Sequence, residues 1–102
     1  MASRKDLKKE VQRNTENILE DLCFLSEAAN REQLNRIEEL INRIILLEAA
    51  SLTQLSSKAI KRSDSVKEHF ARLSETYNAE MESIENTLTQ LVEEVLSVAQ
   101  AS

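Results

Sequence analysis

The sequence predicts an all-α protein, folded as an antiparallel up-down-up bundle of three long helices over about residues 4–29, 31–62 and 66–99. The first reason is that its 102 residues contain no Gly and no Pro, whereas ordinary domains contain roughly 7% and 5% of them. β-Hairpins and phosphate-binding loops depend on Gly at positive φ. The second reason is that apolar residues recur every three or four positions, as on one side of a helix. Residues 1–102 are expected to form a single domain.

The first helix is predicted to start after Ser3, whose side chain suits an N-cap position. Thr15 fills one slot in an otherwise apolar stripe. In the second half of the helix the apolar stripe is wider, which predicts that Cys23 is a small buried side chain rather than a reactive thiol. The stripe consists of Leu7, Val11, Ile18, Leu22, Leu25 and Ala29, with Leu19, Cys23, Phe24 and Ala28 beside it.

The second helix is predicted to start after Asn30, because Asn30 and Gln33 have the spacing of a capping box. Residues 44–47 are four consecutive apolar residues. At about 100° per residue they point to every side of a helix, so this stretch needs neighbours on several sides. Glu48 interrupts the stripe, and we expect it to tilt towards water or to pair with a Lys or Arg of another helix. The stripe consists of Leu34, Ile37, Ile41, Ile44, Leu52, Leu55 and Ala59.

A break at 63–65 is predicted from Ser63, Asp64 and Ser65, because Ser65 and Glu68 repeat the capping-box spacing. The third helix follows, and from Met81 onward its apolar spacing is typical of a coiled coil. Apolar residues keep the same spacing of three or four positions across 63–65. A continuous helix from about 31 to 99, within an oligomer, is therefore the alternative. The stripe consists of Val66, Phe70, Leu73, Tyr77, Met81, Ile84, Leu88, Leu91, Val95 and Val98.

Charge is segregated along a chain whose formal net charge is −5. In the predicted bundle, residues 1–13 and 58–72 fall at one end and form a basic pole, while residues 14–30 and 73–102 are acidic. Such a pole could engage nucleic acid or an acidic protein. Nucleic acid is the less expected partner, because no aromatic residue is interleaved for base stacking and the overall charge is negative. The basic pole consists of Arg4, Lys5, Lys8, Lys9, Lys58, Lys61, Arg62 and Lys67.

Residues that could support chemistry are few, and we expect no enzyme, no metal and no cofactor. His69 is the single histidine, and Val66, three positions earlier, replaces the Glu of a di-metal Glu-x-x-His pair. Glu80, Glu82 and Glu85 are expected to form a solvated acidic face. A lone His and no Gly-bracketed elbow also make a hydrolase triad unexpected.

The expected setting is the cytoplasm. Cys23 is the single cysteine, so no disulfide can form within the chain. The longest apolar run, residues 44–47, is far shorter than the roughly 20 residues that span a bilayer. No apolar run follows the basic start of the chain, so a secretory signal and a membrane partner are both unexpected.

The opening stretch SRKDLKKEV, residues 3–11, resembles the start of a family of small uncharacterised all-helical bacterial proteins. That resemblance implies no activity. The length and three-helix layout are also similar to a spectrin-type repeat, although the tryptophan that such repeats bury in their first helix is missing. The likeness to a repeat is one of shape, which does not imply function.

Surplus apolar surface is the functional signal that remains, since contiguous exposed apolar surface marks interfaces. We expect a homodimer or higher homo-oligomer that acts as a scaffold, adaptor or small chaperone. The alternative is a binding module that uses its basic pole. The predicted interface consists of Leu40, Ile45, Leu46, Leu47, Val92 and Leu96.

Overall fold

The computed structural model describes residues 4–62 and 65–101, and the side chains of this set except Ser57, Arg62 and residues 98–101. The regular structure in this part of the chain is entirely helical, so the all-α prediction is confirmed. The described residues form four helices rather than the three predicted. These are α1 (Arg4–Ser26), α2 (Arg31–Gln54), α3 (Ser57–Arg62) and α4 (Val66–Ala101).

The connection between α1 and α2 is short and is held by turn and capping hydrogen bonds. α1 ends at Ser26, before the predicted residue 29, because its last turn tightens: the amide of Glu27 donates to the Phe24 carbonyl over 3.3 Å. The predicted capping box at the start of α2 is confirmed. The Gln33 amide donates to Asn30 Oδ1 over 2.8 Å, and the Asn30 amide donates to Gln33 Oε1 over 2.9 Å.

The prediction that one helix continues to residue 62 is wrong, since α2 ends at Gln54 and α3 begins at Ser57. Leu55 is buried at the break. The amide of Ala59 donates to Ser56 Oγ over 3.2 Å, so Ser56 caps α3 with its side chain. The predicted turn at 63–65 lies largely outside the described residues.

α2 occupies the middle of the molecule and packs against both α1 and α4, whereas α1 and α4 contact each other much less. The least exposed side chains are spread over the three long helices α1, α2 and α4, and burying each stabilises the fold by about 1.5–3 kcal/mol. These side chains are Leu22, Leu40, Ile44, Ile84, Leu91 and Val95.

Two ion pairs align α2 with α4. Arg36 Nη1 lies 2.6 Å from Glu94 Oε2, and Arg43 Nη2 lies 2.7 Å from Glu80 Oε1. The earlier residue of α2 meets the later residue of α4, so these helices run in opposite directions. The molecule is a rod of 56 × 18 × 18 Å. None of the helices in the described part of the chain combines the length and the apolar character that crossing a bilayer requires.

The widened stripe predicted for the first helix is wrong at three positions. Cys23, Phe24 and Ala28 are exposed, whereas Leu22 and Leu25 are buried. Cys23 and Phe24 follow Leu22 by about 100° and 200° around the helix, so neither can share its inward direction. The helix therefore has a narrow buried face, and Cys23 is not the small core residue that was predicted.

Candidate interaction surfaces

The side of α2 that points away from α1 and α4 combines exposed apolar groups with an absence of charge. Leu46 is 68% exposed and Ile45 is 48% exposed. Within residues 42–53 the two charged side chains are turned elsewhere, since Arg43 binds Glu80 and Ser83 and Glu48 is half-buried, whereas the exposed Glu38 and Glu39 lie one turn before Asn42. We call this surface the uncharged α2 face. It consists of Asn42, Ile45, Leu46, Ala49, Ala50 and Thr53.

Helix geometry explains why two large apolar side chains are left in solvent. Ile44 is buried between the neighbouring helices. Ile45 and Leu46 follow it by about 100° and 200°, so they cannot join the same core. Ala49 and Ala50 lie one turn further along and leave room for a close approach. Exposed apolar groups with few charges are the composition found at the centre of protein interfaces.

The other predicted interface residues do not lie on this face. Leu40 is buried in the molecule's own core, and Leu47 and Val92 pack partly against that core. Leu96 is exposed, but it continues the side of α4 that turns towards α1. The structure thus brings Ile45 and Leu46 together and places Leu96 elsewhere.

An open groove separates α1 from α4, where these two helices make little contact. Asn17 and Asp21 of α1 and Glu85 and Thr89 of α4 are among the residues that line it. Phe24, which is 79% exposed, follows Asp21 by three residues and so extends the same side of α1. Sequence reasoning missed this surface, because it assigned Phe24 to the core.

The start of α1, the end of α2 and the start of α4 meet at one end of the rod, as shown by the small cavity that Leu7, Leu55 and Leu73 share. The members of the basic pole therefore lie at a common end. The side chain of Arg62 is outside the described residues. The exposed members are Arg4, Lys5, Lys8, Lys9, Lys58, Lys61 and Lys67.

A polar groove lies at this end, where α2 breaks and α3 turns towards α4. Lys58 and Arg72 both line it, together with Thr53, Ser56 and His69. The Nε2–H group of His69 donates to the carbonyl oxygen of Gln54 over 2.7 Å. Gln54 is the last residue of α2, and helix-terminal carbonyls lack partners within the helix. His69 therefore has a structural contact that joins α4 to the end of α2.

Among the side chains that the structure describes, two ionisable groups have shifted pKa values. Burial raises the pKa of Tyr77 above 10.0, although the hydrogen bond from Asn14 acts in the opposite direction. Asn14 Nδ2 donates to the Tyr77 hydroxyl over 3.0 Å and joins α1 to α4. The hydrogen bond from Arg36 lowers the pKa of Glu94 below 4.5.

The acidic residues of α4 do not converge on one point. Glu80 binds Arg43 on the side of α2, and Glu85 lines the groove beside α1. Within residues 4–62 and 65–101, no three His, Cys, Asp or Glu side chains are placed to hold a metal ion.

Comparison with known proteins gives no relative from which a function could be transferred. No protein-family model, no curated protein and no solved structure matches this chain. Function is therefore inferred from the surfaces of the molecule itself.

Proposed function

We propose that this protein is a non-enzymatic helical interaction protein, a scaffold, adaptor or small chaperone that associates with itself through the uncharged α2 face. The observation that supports the proposal most strongly is the exposure of Ile45 and Leu46 in the middle of a charge-free surface. The assembly would be a homodimer or higher homo-oligomer. Its subunit would be an antiparallel three-helix bundle whose second arm, α2 with α3, is interrupted at Leu55 and Ser56.

The energetics favour such an association. Covering Ile45 and Leu46 removes apolar surface from water, at about 25 cal/mol per Å². The uncharged α2 face can be covered without desolvating a charge, while the exposed Glu38 and Glu39 one turn away would stay at the solvated rim of a larger interface. A standard interface covers about 800 Å² on each partner, and one long side of a rod of 56 × 18 Å has room for it.

Light scattering at micromolar concentration tests the proposal. We expect a mass above the 11.6 kDa of one chain, and we expect Ile45→Glu and Leu46→Glu to shift it towards the monomer with helicity retained by circular dichroism. Phe24→Glu is the matched control, because it places the same charge at an exposed apolar position on α1. A wild-type protein that is strictly monomeric would contradict self-association. A mass lost in Phe24→Glu but kept in the α2 variants would contradict the chosen surface.

A second candidate function is the binding of an acidic protein, or of nucleic acid, at the basic pole. It is favoured by the polar groove, because Lys58 and Arg72 lie on its two sides. The net charge of −5 makes a protein the better candidate, since nucleic-acid affinity depends on neutralising phosphates. Retention on immobilised heparin or DNA that falls with salt, and that is lost in Lys58→Glu with Arg72→Glu, would support this function.

A cytoplasmic location is part of the proposal. Cys23 is free and exposed, and an exposed single thiol is prone to form disulfides between chains in an oxidising compartment. Fractionation of the native host, with detection of Cys23 as a thiol, tests the location. Recovery of a Cys23-linked dimer from a secreted fraction would contradict it.

A further inference from the structure

We propose that the groove between α1 and α4 binds an amphipathic helix of a partner protein, one that carries large apolar residues at one end and Lys or Arg along its next turns. The groove lies on the opposite side of the rod from the uncharged α2 face, because α2 packs against both α1 and α4. The inference therefore goes beyond self-association and does not depend on it. We call the site the α1–α4 groove, and its lining residues are Asn14, Asn17, Ile18, Asp21, Met81, Glu85, Leu88 and Thr89.

The α1–α4 groove has room for a fourth helix. α1 and α4 both run opposite to α2, so they are parallel, and they contact each other much less than they contact α2. The floor of the groove is apolar, since Ile18, Met81 and Leu88 line it and are nearly buried. Packed helices lie about 8–10 Å apart. From Met81 to Leu96 the α4 wall is about 22 Å long at 1.5 Å per residue, which matches a helix of about fifteen residues.

Heptad spacing extends the groove into an apolar stretch. Phe24, Val92 and Leu96 each follow a lining residue by seven positions, and residues with that spacing share one side of a helix. Phe24 is 79% exposed and Leu96 is 50% exposed, while Val92 is half-buried. Three apolar side chains therefore continue the two walls towards the α1–α2 connection. The lining residues that they follow are Asn17, Glu85 and Thr89.

The walls of the α1–α4 groove carry negative charge. Asp21 and Glu85 are the charged residues that line it, one on each wall, and both are exposed. Among the side chains that the structure describes, no Lys or Arg pairs with either carboxylate. Residues 14–26 and 73–97, which form the walls, include neither Lys nor Arg. Positive charge on an occupant would therefore be matched from both sides.

The basic residues of α2 do not reach the groove. Arg36 and Arg43 form ion pairs with α4 on the side that faces α2. Arg31 precedes Ile45 by fourteen residues, so it lies with Ile45 on the outward side of α2. On α1, Arg13 comes just before the lining residues and marks the end of the acidic stretch. The positive charge of the occupant is therefore expected opposite the two carboxylates, between the apolar stretch and the basic pole.

A second copy of this chain does not supply such a helix. At the basic start of its α1, the apolar residues Leu7 and Val11 already pack against its own molecule. Its basic α3 spans six residues, which is too short to fill the groove. An anionic membrane surface or a nucleic acid would be repelled by the acidic walls. A helix of another protein, both apolar and cationic, is the occupant that fits.

Two designed peptides test the inference. The probe is a helical peptide of about eighteen residues with a Leu stripe and Lys on both sides of it, and the control has Glu in place of Lys. We expect the wild-type protein to bind the Leu–Lys peptide with a dissociation constant of about 1–50 μM. The Leu–Glu peptide should bind at least about tenfold more weakly, and added salt should reduce this difference. Fluorescence anisotropy of the labelled peptides measures both constants.

Charge reversal tests the acidic walls. We expect Asp21→Lys with Glu85→Lys to weaken binding of the Leu–Lys peptide about tenfold or more at low salt. Glu16→Lys with Glu20→Lys is the matched control, because it makes the same change of net charge at exposed positions of α1 that do not line the groove. The control should weaken binding by less than about threefold, since its charges act through solvent.

Truncation tests the apolar stretch. Phe24→Ala should weaken binding of the Leu–Lys peptide about tenfold, because exposed aromatic side chains are common anchors of interfaces. Leu46→Ala, on the uncharged α2 face, is the matched control and should leave the constant unchanged. Both positions are exposed, so circular dichroism should show that helicity is retained.

A fluorescent label locates the bound peptide. In a Cys23→Ser background, Thr89→Cys places an environment-sensitive fluorophore on the α1–α4 groove, and Ala49→Cys places it on the uncharged α2 face. Both positions are exposed. We expect the peptide to shift the emission of the label at position 89 and not of the label at position 49.

The outcomes separate the inference from the proposed function. Absence of peptide binding, equal losses in the two charge-reversal variants, or a response at position 49 alone would overturn the groove as the binding site. A wild-type oligomer that dissociates in Phe24→Ala would assign the groove to a second copy and overturn the inference as well. A wild type that is strictly monomeric and binds the peptide in the groove would contradict self-association and support the inference.

Discussion

A capping box was predicted at two helix starts, and the structure forms it completely at one of them. At the start of α2 both hydrogen bonds between Asn30 and Gln33 form, at 2.8 and 2.9 Å. At the start of α4 a single long contact forms, from the Glu68 amide to Ser65 Oγ at 3.4 Å. Gln33 is only 3% exposed, whereas Glu68 is exposed. The reciprocal bond closes where packing immobilises the side chain, whereas an exposed carboxylate gains less from it because water competes for the same contact.

This difference extends to the two ends of the rod. The end that contains the α1–α2 connection is closed by a complete capping box over a buried Leu25. At the basic pole, α2 breaks and a polar groove opens. There the elements are joined by single contacts, such as the hydrogen bond from His69 to Gln54. We therefore expect the basic pole to be the less stable end.

Truncating one core side chain near each end should give the largest contrast. Leu22→Ala, at a fully buried site, is expected to lower the free energy of unfolding by about 2–5 kcal/mol. Leu73→Ala, at a half-buried site beside the polar groove, should cost about half as much. Urea unfolding followed by circular dichroism measures both. Equal losses would show that the two ends are equally well packed.

Removing each cap should give a smaller contrast. Asn30→Ala is expected to lower the free energy of unfolding by about 1 kcal/mol, because the capping bond from the Asn30 side chain at the start of α2 is lost. Ser65→Ala should cost only a few tenths of a kcal/mol, since its contact is long and exposed. The same urea titration compares the two variants. A Ser65→Ala loss as large as that of Asn30→Ala would contradict the difference between the boxes.

Removing the hydrogen bond between His69 and Gln54 should by itself lower the free energy of unfolding. His69→Ala leaves the carbonyl of Gln54 without this donor, and we expect a loss of about 0.5–1.5 kcal/mol. Hydrogen exchange measured by mass spectrometry on this variant should accelerate in residues 51–62 more than in the capping region around Asn30. Glu75→Ala, exposed on α4 and beyond its first turn, is the control and should change neither quantity.

The two ends should also respond at opposite extremes of pH. The pKa of Tyr77 is raised above 10.0 in the folded state, so its contribution to stability is complete below pH 10.0 and is lost as pH rises through the raised pKa. The pKa of Glu94 is lowered below 4.5 by Arg36, so its contribution is present above pH 4.5 and is lost as pH falls through the lowered pKa.

Unfolding midpoints measured across the acid and alkaline ranges test both groups. Tyr77→Phe should reduce the fall of the unfolding midpoint at alkaline pH and leave its fall at acid pH, the acid limb, unchanged. Glu94→Gln should flatten the acid limb alone, by a small amount because its side chain is exposed. If the two variants changed the same limb, the assignment of these groups would be wrong.

Apolar spacing predicted most of the inward side of each long helix, because the positions of Val11, Ile44 and Leu91 follow directly from 3.6 residues per turn. The stripes were wrong at Leu34 and Val66, near the helix starts, which are exposed. The start of α2 was also predictable, because Asn30 and Gln33 are a local signal. The break at Leu55 was not predictable, because apolar residues keep a spacing of three or four positions through it and serine also occurs within helices. Cys23 and Phe24 lie about 100° and 200° from Leu22 around α1, and whether side chains at those angles are covered depends on which helices pack there, which no local pattern specifies.

The limited contact between α1 and α4 also bears on how the chain folds. The principal helix contacts join α2 to α1, its neighbour along the chain, and to α4, which follows after the short α3. A topology dominated by contacts between sequential elements has a low contact order, and such helical domains fold in about microseconds to milliseconds. The α1–α2 hairpin can assemble first, without waiting for α4 to be synthesised or to dock. The helices therefore emerge from the ribosome in the same order in which their contacts can form.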